Sequence, residues 1–279
     1  MNALIFIDTN ILLDFYRIRK SEVSMKYIEH IGEHKARIIT GTQIEMEYKK
    51  NRQKVILESL GQFKNPQWNN LSVPALLSES HEATEIDKLK QSITEQQQII
   101  NKNIENILKD PLAHDPVFTS LNTLFNNHSS YNLHKRNPET SQINEKALKR
   151  FMLGYPPRKE NDTSIGDAIN WEWIVHCASK AQKNIIIVTR DSDYGASIKE
   201  DAFINDWLYR EFKDRVGEKF DIVLTQKLSK ALKLIDVQVS DEMVSEEENM
   251  IKHYEDLDLE QEEDSVTRKI FDILKKHNY

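Results

Sequence analysis

Four short, almost wholly apolar runs recur along this chain, and they constrain its fold more than any other feature. They are ALIFI (3–7), ARIIT (36–40), NIIIVT (184–189) and FDIVLT (220–225). A strand buried on both faces reads as a continuous apolar run, not as an alternation, and helices must then cover both sides of the sheet. The intervening segments carry helical patterning: ILLDFYRIRK after the first run, Ser21 to His34 before the second, and Gln43 to about Leu60 after it. Further helices are read from a Ser164 cap through Ile165 to Ala181, and around Phe203 to Phe212. The fold class expected is α/β, a three-layer α/β/α arrangement with a central parallel sheet.

The 279 residues exceed the usual single-domain size of about 150, so a large insertion or a second domain is expected. Residues 61–160 offer no strand, and the organisation read here is an α/β unit of 1–60 and 155–239 around a helical insertion at 61–154. Within the insertion Ile86, Ile93, Ile100 and Ile107 recur every seven residues beside Leu89 and Ile104. That spacing predicts a long amphipathic helix, packed against neighbouring helices in preference to self-association into a homo-oligomer. The lone cysteine, Cys177, excludes an internal disulfide framework and reads as a packed thiol. No run of eighteen apolar residues and no basic leader are present, and the expectation is a soluble, cytoplasmic protein.

A net charge of −7 argues against a nucleic-acid partner until its distribution is read. Residues 241–264 hold twelve Asp or Glu and one Lys, which leaves the rest of the chain at +4. The body is therefore mildly basic, with KKNRQK at 49–54, HKR at 134–136, ALKR at 147–150 and RK at 158–159 as candidate phosphate-steering segments. The segment 240–279, an acidic stretch before an amphipathic helix with Val266, Ile270, Phe271 and Leu274, is read as a shield over the basic face or as a contact for a protein partner or inhibitor.

Ligands of parallel α/β sheets bind beyond the carboxyl ends of the strands. Asp8 closes the first strand there and Asp191 lies two residues past the third. Asp167 falls in the first turn of the helix that opens at Ser164, where free N–H groups and the helix dipole favour a carboxylate. Glu45 and Glu47 stand about 200 degrees apart on one helix and cannot both face inward. Glu47 shares its face with Ile44, Tyr48, Asn51 and Val55 and is the site candidate, whereas Glu45 lines up with Lys49 as a surface pair. Converging carboxylates repel one another unless a cation holds them, and oxygen-only ligands suit hard ions such as Mg²⁺ or Mn²⁺. Two such ions about 4 Å apart activate water and stabilise the leaving oxygen in phosphodiester hydrolysis. His30 and His34 have helical zinc-site spacing but no further ligand nearby, and read as a solvated face.

Four motifs in order, IFIDTN with ILL, EYKKNR, TSIGDAINW and IIIVTRDSDY, resemble those of the PIN-domain nuclease family, in a subgroup with a large insertion. Gly41 stands where that subgroup would carry a proline. The resemblance covers residues 1–60 and 155–235 and implies strand order 3-2-1-4-5, two divalent ions and endonuclease action, with RNA as the substrate expected. It makes Asp8, Glu47, Asp167 and Asp191 the catalytic and metal-binding acids, with Asp193 a further ligand. Asn10 and Thr189 would orient carboxylates, and Arg52 would hold substrate phosphate. The rivals are a catalytically silent binding module of the same fold, a nuclease acting on single-stranded or flap DNA, and an aspartyl phosphatase or receiver-type protein. A phosphatase would want an acid where Asn10 stands.

Overall fold

The computed structural model describes residues 1–63, 71–158, 164–199 and 201–254. Its elements are β1 (Ala3–Ile7), α1 (Thr9–Leu13), α2 (Ser21–Glu33), β2 (Ile38–Gly41), α3 (Thr42–Phe63), α4 (His81–Lys109), α5 (Pro111–His114), α6 (Pro116–Phe125), β3 (Asn132–Leu133) and α7 (Thr140–Met152). There follow α8 (Gly166–Ala181), β4 (Asn184–Val188), β5 (Gly195–Ile198), β6 (Asp201–Ile204), α9 (Asp206–Val216), β7 (Ile222–Thr225) and α10 (Leu228–Leu234). Residues 241–254 form a further helix, α11.

Five strands pair in the order β3-β2-β1-β4-β7, all parallel. Counting the strands of this sheet alone, that is the order 3-2-1-4-5. All five residues of β1 are buried, and its register sets Ile5 beside Ile38 on one side and Ile186 on the other. Continuous apolar strands are what a doubly covered sheet requires, and each side chain here meets a helix instead of water. Fully burying one such Leu or Ile contributes roughly 1.5–3 kcal/mol. Trp171, Trp173 and Cys177 on α8 are packed into this core, and burial pushes the Cys177 thiol well above its ordinary value.

Three sequence expectations change. The helical reading of 61–154 omitted β3, whose two residues pair as Thr40↔Asn132 and Gly41↔Leu133. A strand this short leaves no hydropathy signature, and Asn132 is buried because its amide donates to the Phe125 and Asn127 carbonyls. Gly41 lies where a Cβ would come within 3.0 Å of Leu133 Cβ, so the close approach of β3 accounts for a glycine there. The helix read from Phe203 is instead the antiparallel hairpin β5–β6 followed by α9 from Asp206. The isoleucine stripe of α4 is only partly covered: Ala83 is its one buried residue among those described, and Leu89, Ile99 and Ile100 are exposed.

The second half of the insertion and the segment beyond β7 contribute to the same core. Val117, Leu121, Leu124, Phe125, Leu133 and Ile143 join it, as do Met243 and Met250 of α11. The acidic α11 is thus docked, and Glu247 is its anchor. The Glu247 carboxylate is buried and accepts hydrogen bonds from the backbone N–H groups of Leu228 and Ser229 at the start of α10 and from the Tyr27 hydroxyl. Lys20 pairs with Glu242 and Glu246, and Lys227 with Glu248. The amphipathic stretch from Val266 to Leu274 lies outside the described residues. No helix among the described residues is long and apolar enough to cross a membrane.

Arg52 of α3 and Asp115, the cap of α6, form a buried pair at 2.6 Å that fastens the insertion to the sheet unit. Removing one partner of such a pair costs about 3–5 kcal/mol because the other charge stays buried alone. Arg52→Met and Asp115→Leu are each expected to lower the urea midpoint strongly, with the double variant losing clearly less than the two losses added. Additive losses would mean that the pair does not couple the two segments.

Candidate active site

The carboxyl end of the sheet collects acids from four elements. Asp8 follows β1 directly, and its N–H donates to the Val188 carbonyl, which continues the β1–β4 pairing by one step. Its carboxylate caps α1 by accepting from Thr9 N–H at 2.6 Å. The other oxygen accepts from Asn10 Nδ2 at 3.0 Å and from the Thr189 hydroxyl. Thr189 also accepts from the Asp191 backbone N–H at 3.0 Å, so one threonine joins the end of β1 to the turn after β4. Asn10 and Thr189 thus occupy the positions that hold Asp8.

Glu47 reaches the same region from the second turn of α3. Its oxygens accept from Thr9 Oγ1 at 3.1 Å and from Gln43 Nε2 at 2.5 Å. Glu45 points elsewhere and pairs with Lys49 at 2.6 Å. Asp167 is the second residue of α8, whose cap is Ile165, with the Ser164 hydroxyl accepting from Gly166 N–H. Gly166 allows a close approach: a Cβ there would come within 2.6 Å of Glu47 Oε1 and 2.5 Å of Gln43 Nε2, so those side-chain ends would have to shift. Asp191 precedes a single 3-10 turn, Ser192–Tyr194, that contains Asp193.

Their electrostatics record the convergence. Burial, followed by the like charge of Asp8, Asp191, Glu47 and Asp193, pushes Asp167 up to about 8. Burial also raises Asp8 to about 6, with Asp191 and Glu47 adding to it against the lowering effect of Thr189 and the Thr9 amide. Tyr194, fully buried behind the acids, is held well above its ordinary value by burial and then by Asp167, Asp8, Glu47 and Asp191.

Arg52 is not in this group. It is 3% exposed, bound to Asp115, Tyr16 and the Ile107 carbonyl, and so closed to a substrate phosphate. The sequence reading passed over Thr9, Gln43 and Tyr194 near the acids. Gln43 stands one turn before Glu47, a spacing at which helical side chains meet, and this was the signal available for it. It also passed over Asp14, a buried acid neutralised by Arg17 at 3.2 Å and by Arg190.

Among the described residues no three His, Cys, Asp or Glu side chains are grouped as they would stand around one ion. The chemistry of the donor set nevertheless fits a hard cation. Every hydrogen bond to Asp8 and Glu47 among the described residues comes from a neutral group. The buried oxygen Asn10 Oδ1 lacks a donor among the described residues.

Because Asp167 is harder to ionise in the fold than in the unfolded chain, the metal-free protein loses stability as pH rises from 3.8 through about 8. Asp167→Asn removes that cost. The variant is expected to exceed the wild type by at least ~1 kcal/mol at about pH 9 in chelator, with the gain fading towards pH 4. Denaturant unfolding across that range measures it, and a gain that grows on acidification would contradict the assignment.

Comparison with known proteins gives one family. A PIN-domain model matches residues 5–194. Searches of curated proteins and of solved structures returned no match. With the sheet order, the acids at its carboxyl edge and a match over more than half its length, the chain belongs to the PIN-domain family.

Proposed function

We propose that this protein is a metal-dependent endonuclease that hydrolyses phosphodiester bonds, with RNA as its substrate, and that Asp8, Glu47, Asp167 and Asp191 are its metal-binding acids. One observation carries the reading: burial, with the like charge of Asp191 and Glu47 beside it, raises Asp8 and Asp167 at one edge of the sheet, and neutral donors hold Asp8 and Glu47. The family supplies nucleases in general, and the finer assignment rests on the side chains.

In this reading the four acids would hold two Mg²⁺ or Mn²⁺ ions, with Asp193 as a further ligand. When bound, the ions lower the pKa of water and offset charge on the scissile phosphate. The residues of the chain divide the remaining work. Thr189 and Asn10 fix the Asp8 carboxylate, and Thr9 and Gln43 fix that of Glu47, so ligand oxygens are oriented before a cation or substrate arrives. Asp167, which burial and its acidic neighbours raise to about 8, would give up its proton on meeting a cation. Gly166 leaves the space through which Glu47 reaches the site.

The test is cleavage of end-labelled RNA by purified protein with Mg²⁺ or Mn²⁺. Asp8→Asn and Asp191→Asn are expected to reduce the rate by more than about a hundredfold, whereas Glu45→Gln leaves it within about twofold. Gly166→Ala should fold and yet lose at least about tenfold, because the new methyl displaces the Glu47 carboxylate. Cleavage unaffected by both Asp→Asn changes would refute the site, and a wild type inert on RNA and single-stranded DNA would favour a binding module without catalysis.

A further inference from the structure

A second cluster of side chains, on α9 and the segment after α7, lies outside the catalytic reading. Helices α8 and α9 run in the same direction, since each leads into a strand of the parallel pair β4–β7. Their contacts give the register: Trp171 Nε1 donates to Glu211 at 3.2 Å, and Arg215 bridges to Glu172 at 2.7 Å. One turn towards the helix starts from Trp171 is Asp167, and one turn back from Glu211 is Trp207. Trp207 therefore stands level with Asp167 on the adjoining helix, and packed helices have axes about 8–10 Å apart.

Trp207 is half-exposed, and its ring meets that of Tyr155, also partly exposed, with centroids 5.3 Å apart and planes tilted by 41°. Both are held from behind. Asn205 caps α9 by accepting from Trp207 N–H at 2.9 Å. Arg150 is buried, donates to the Pro156 carbonyl, accepts Tyr155 N–H on its own carbonyl at 3.1 Å, and is fixed by Glu172 and Glu211. Tyr155 lines a cleft of about 280 Å³ together with Leu153, the cations Lys146, Lys149, Arg150 and Arg215, and the acids Glu172 and Glu211. Glu172 and Glu211 neutralise the two arginines. Lys146 and Lys149 are exposed, and among the described residues no carboxylate pairs with either.

An open pair of aromatic faces beside lysines that no carboxylate among the described residues pairs suits a strand with free bases and a charged backbone. A duplex hides its bases and offers such rings nothing to stack on. We propose that Tyr155 and Trp207, with Lys146 and Lys149, form a stacking platform that seats an unpaired nucleotide of single-stranded nucleic acid and sets its backbone at the Asp167 end of α8. The proposal rests on the nuclease reading for its purpose, and it narrows the substrate to unpaired strands.

The test is fluorescence anisotropy of a short fluorescein-labelled single-stranded oligonucleotide, and of the same sequence as a duplex, with the full chain in chelator so that binding is read without cleavage. Base–aromatic stacking sets the scale: Trp207→Ala and Tyr155→Ala should each weaken single-strand binding by about tenfold to a hundredfold, with Trp207→Phe retaining most of the affinity. Lys146→Gln with Lys149→Gln should reduce the slope of log affinity against log salt by about 1 to 2. The duplex should bind more weakly and respond to neither aromatic change. Circular dichroism of the variants checks folding. Wild-type affinity in both alanine variants, equal losses on duplex and single strand, or a wild type that binds neither would overturn the platform. Cleavage measured separately keeps the outcomes apart, because RNA cleavage that needs Asp191 beside unchanged binding in Trp207→Ala leaves the nuclease reading intact and removes only the platform.

Discussion

Mutual repulsion among carboxylates at the carboxyl edge of the sheet is the constraint on which the functional reading depends. The rest of the protein shows how it treats a buried acid that serves only the fold. Asp14 has Arg17 and Arg190, Asp115 has Arg52, and Glu172 has Arg150 and Arg215. Glu247 is held by two backbone N–H groups and a tyrosine. Asp8 and Glu47 instead receive threonine, asparagine, glutamine and one amide, which orient a carboxylate without cancelling its charge. Glu247 is likewise held by neutral donors, so what sets the sheet edge apart is that several such acids converge there, which is the arrangement a bound cation would relieve.

The sheet makes that arrangement possible. Parallel strands β1 and β4 end side by side, so Asp8 and the Thr189–Asp191 turn are neighbours although far apart in sequence. Helices α3 and α8 then bring Glu47 and Asp167 across the same edge, and Gly166 sets how closely they approach. The insertion and α11 brace this unit from outside through Arg52–Asp115 and Glu247. The acidic α11 is therefore a structural helix, anchored through Glu247.

Much of this was legible in the sequence because the determining patterns are local. Continuous apolar runs marked β1, β2, β4 and β7, and their parallel pairing placed Asp8 and Asp191 at one edge. Helical spacing separated Glu47 from Glu45. What was not legible depends on long-range contact. The two residues of β3 are a strand only because β2 lies beside them, and the β5–β6 hairpin carries no alternating pattern strong enough to outweigh the helix that follows. Arg52 sits in a basic run that reads as surface, and only the fold brings Asp115 to it from across the insertion.

The central claim is that the acid cluster is a cation site. Titration of the metal-free protein with Mn²⁺ by calorimetry at about pH 7, in two buffers of different ionisation enthalpy, tests it most directly. The account predicts saturable binding accompanied by proton release, since Asp167 holds its proton up to about 8 before a cation displaces it. Both the binding and the release should disappear in Asp191→Asn. The absence of saturable binding in the wild type, or binding that persists unchanged in Asp191→Asn, would contradict it.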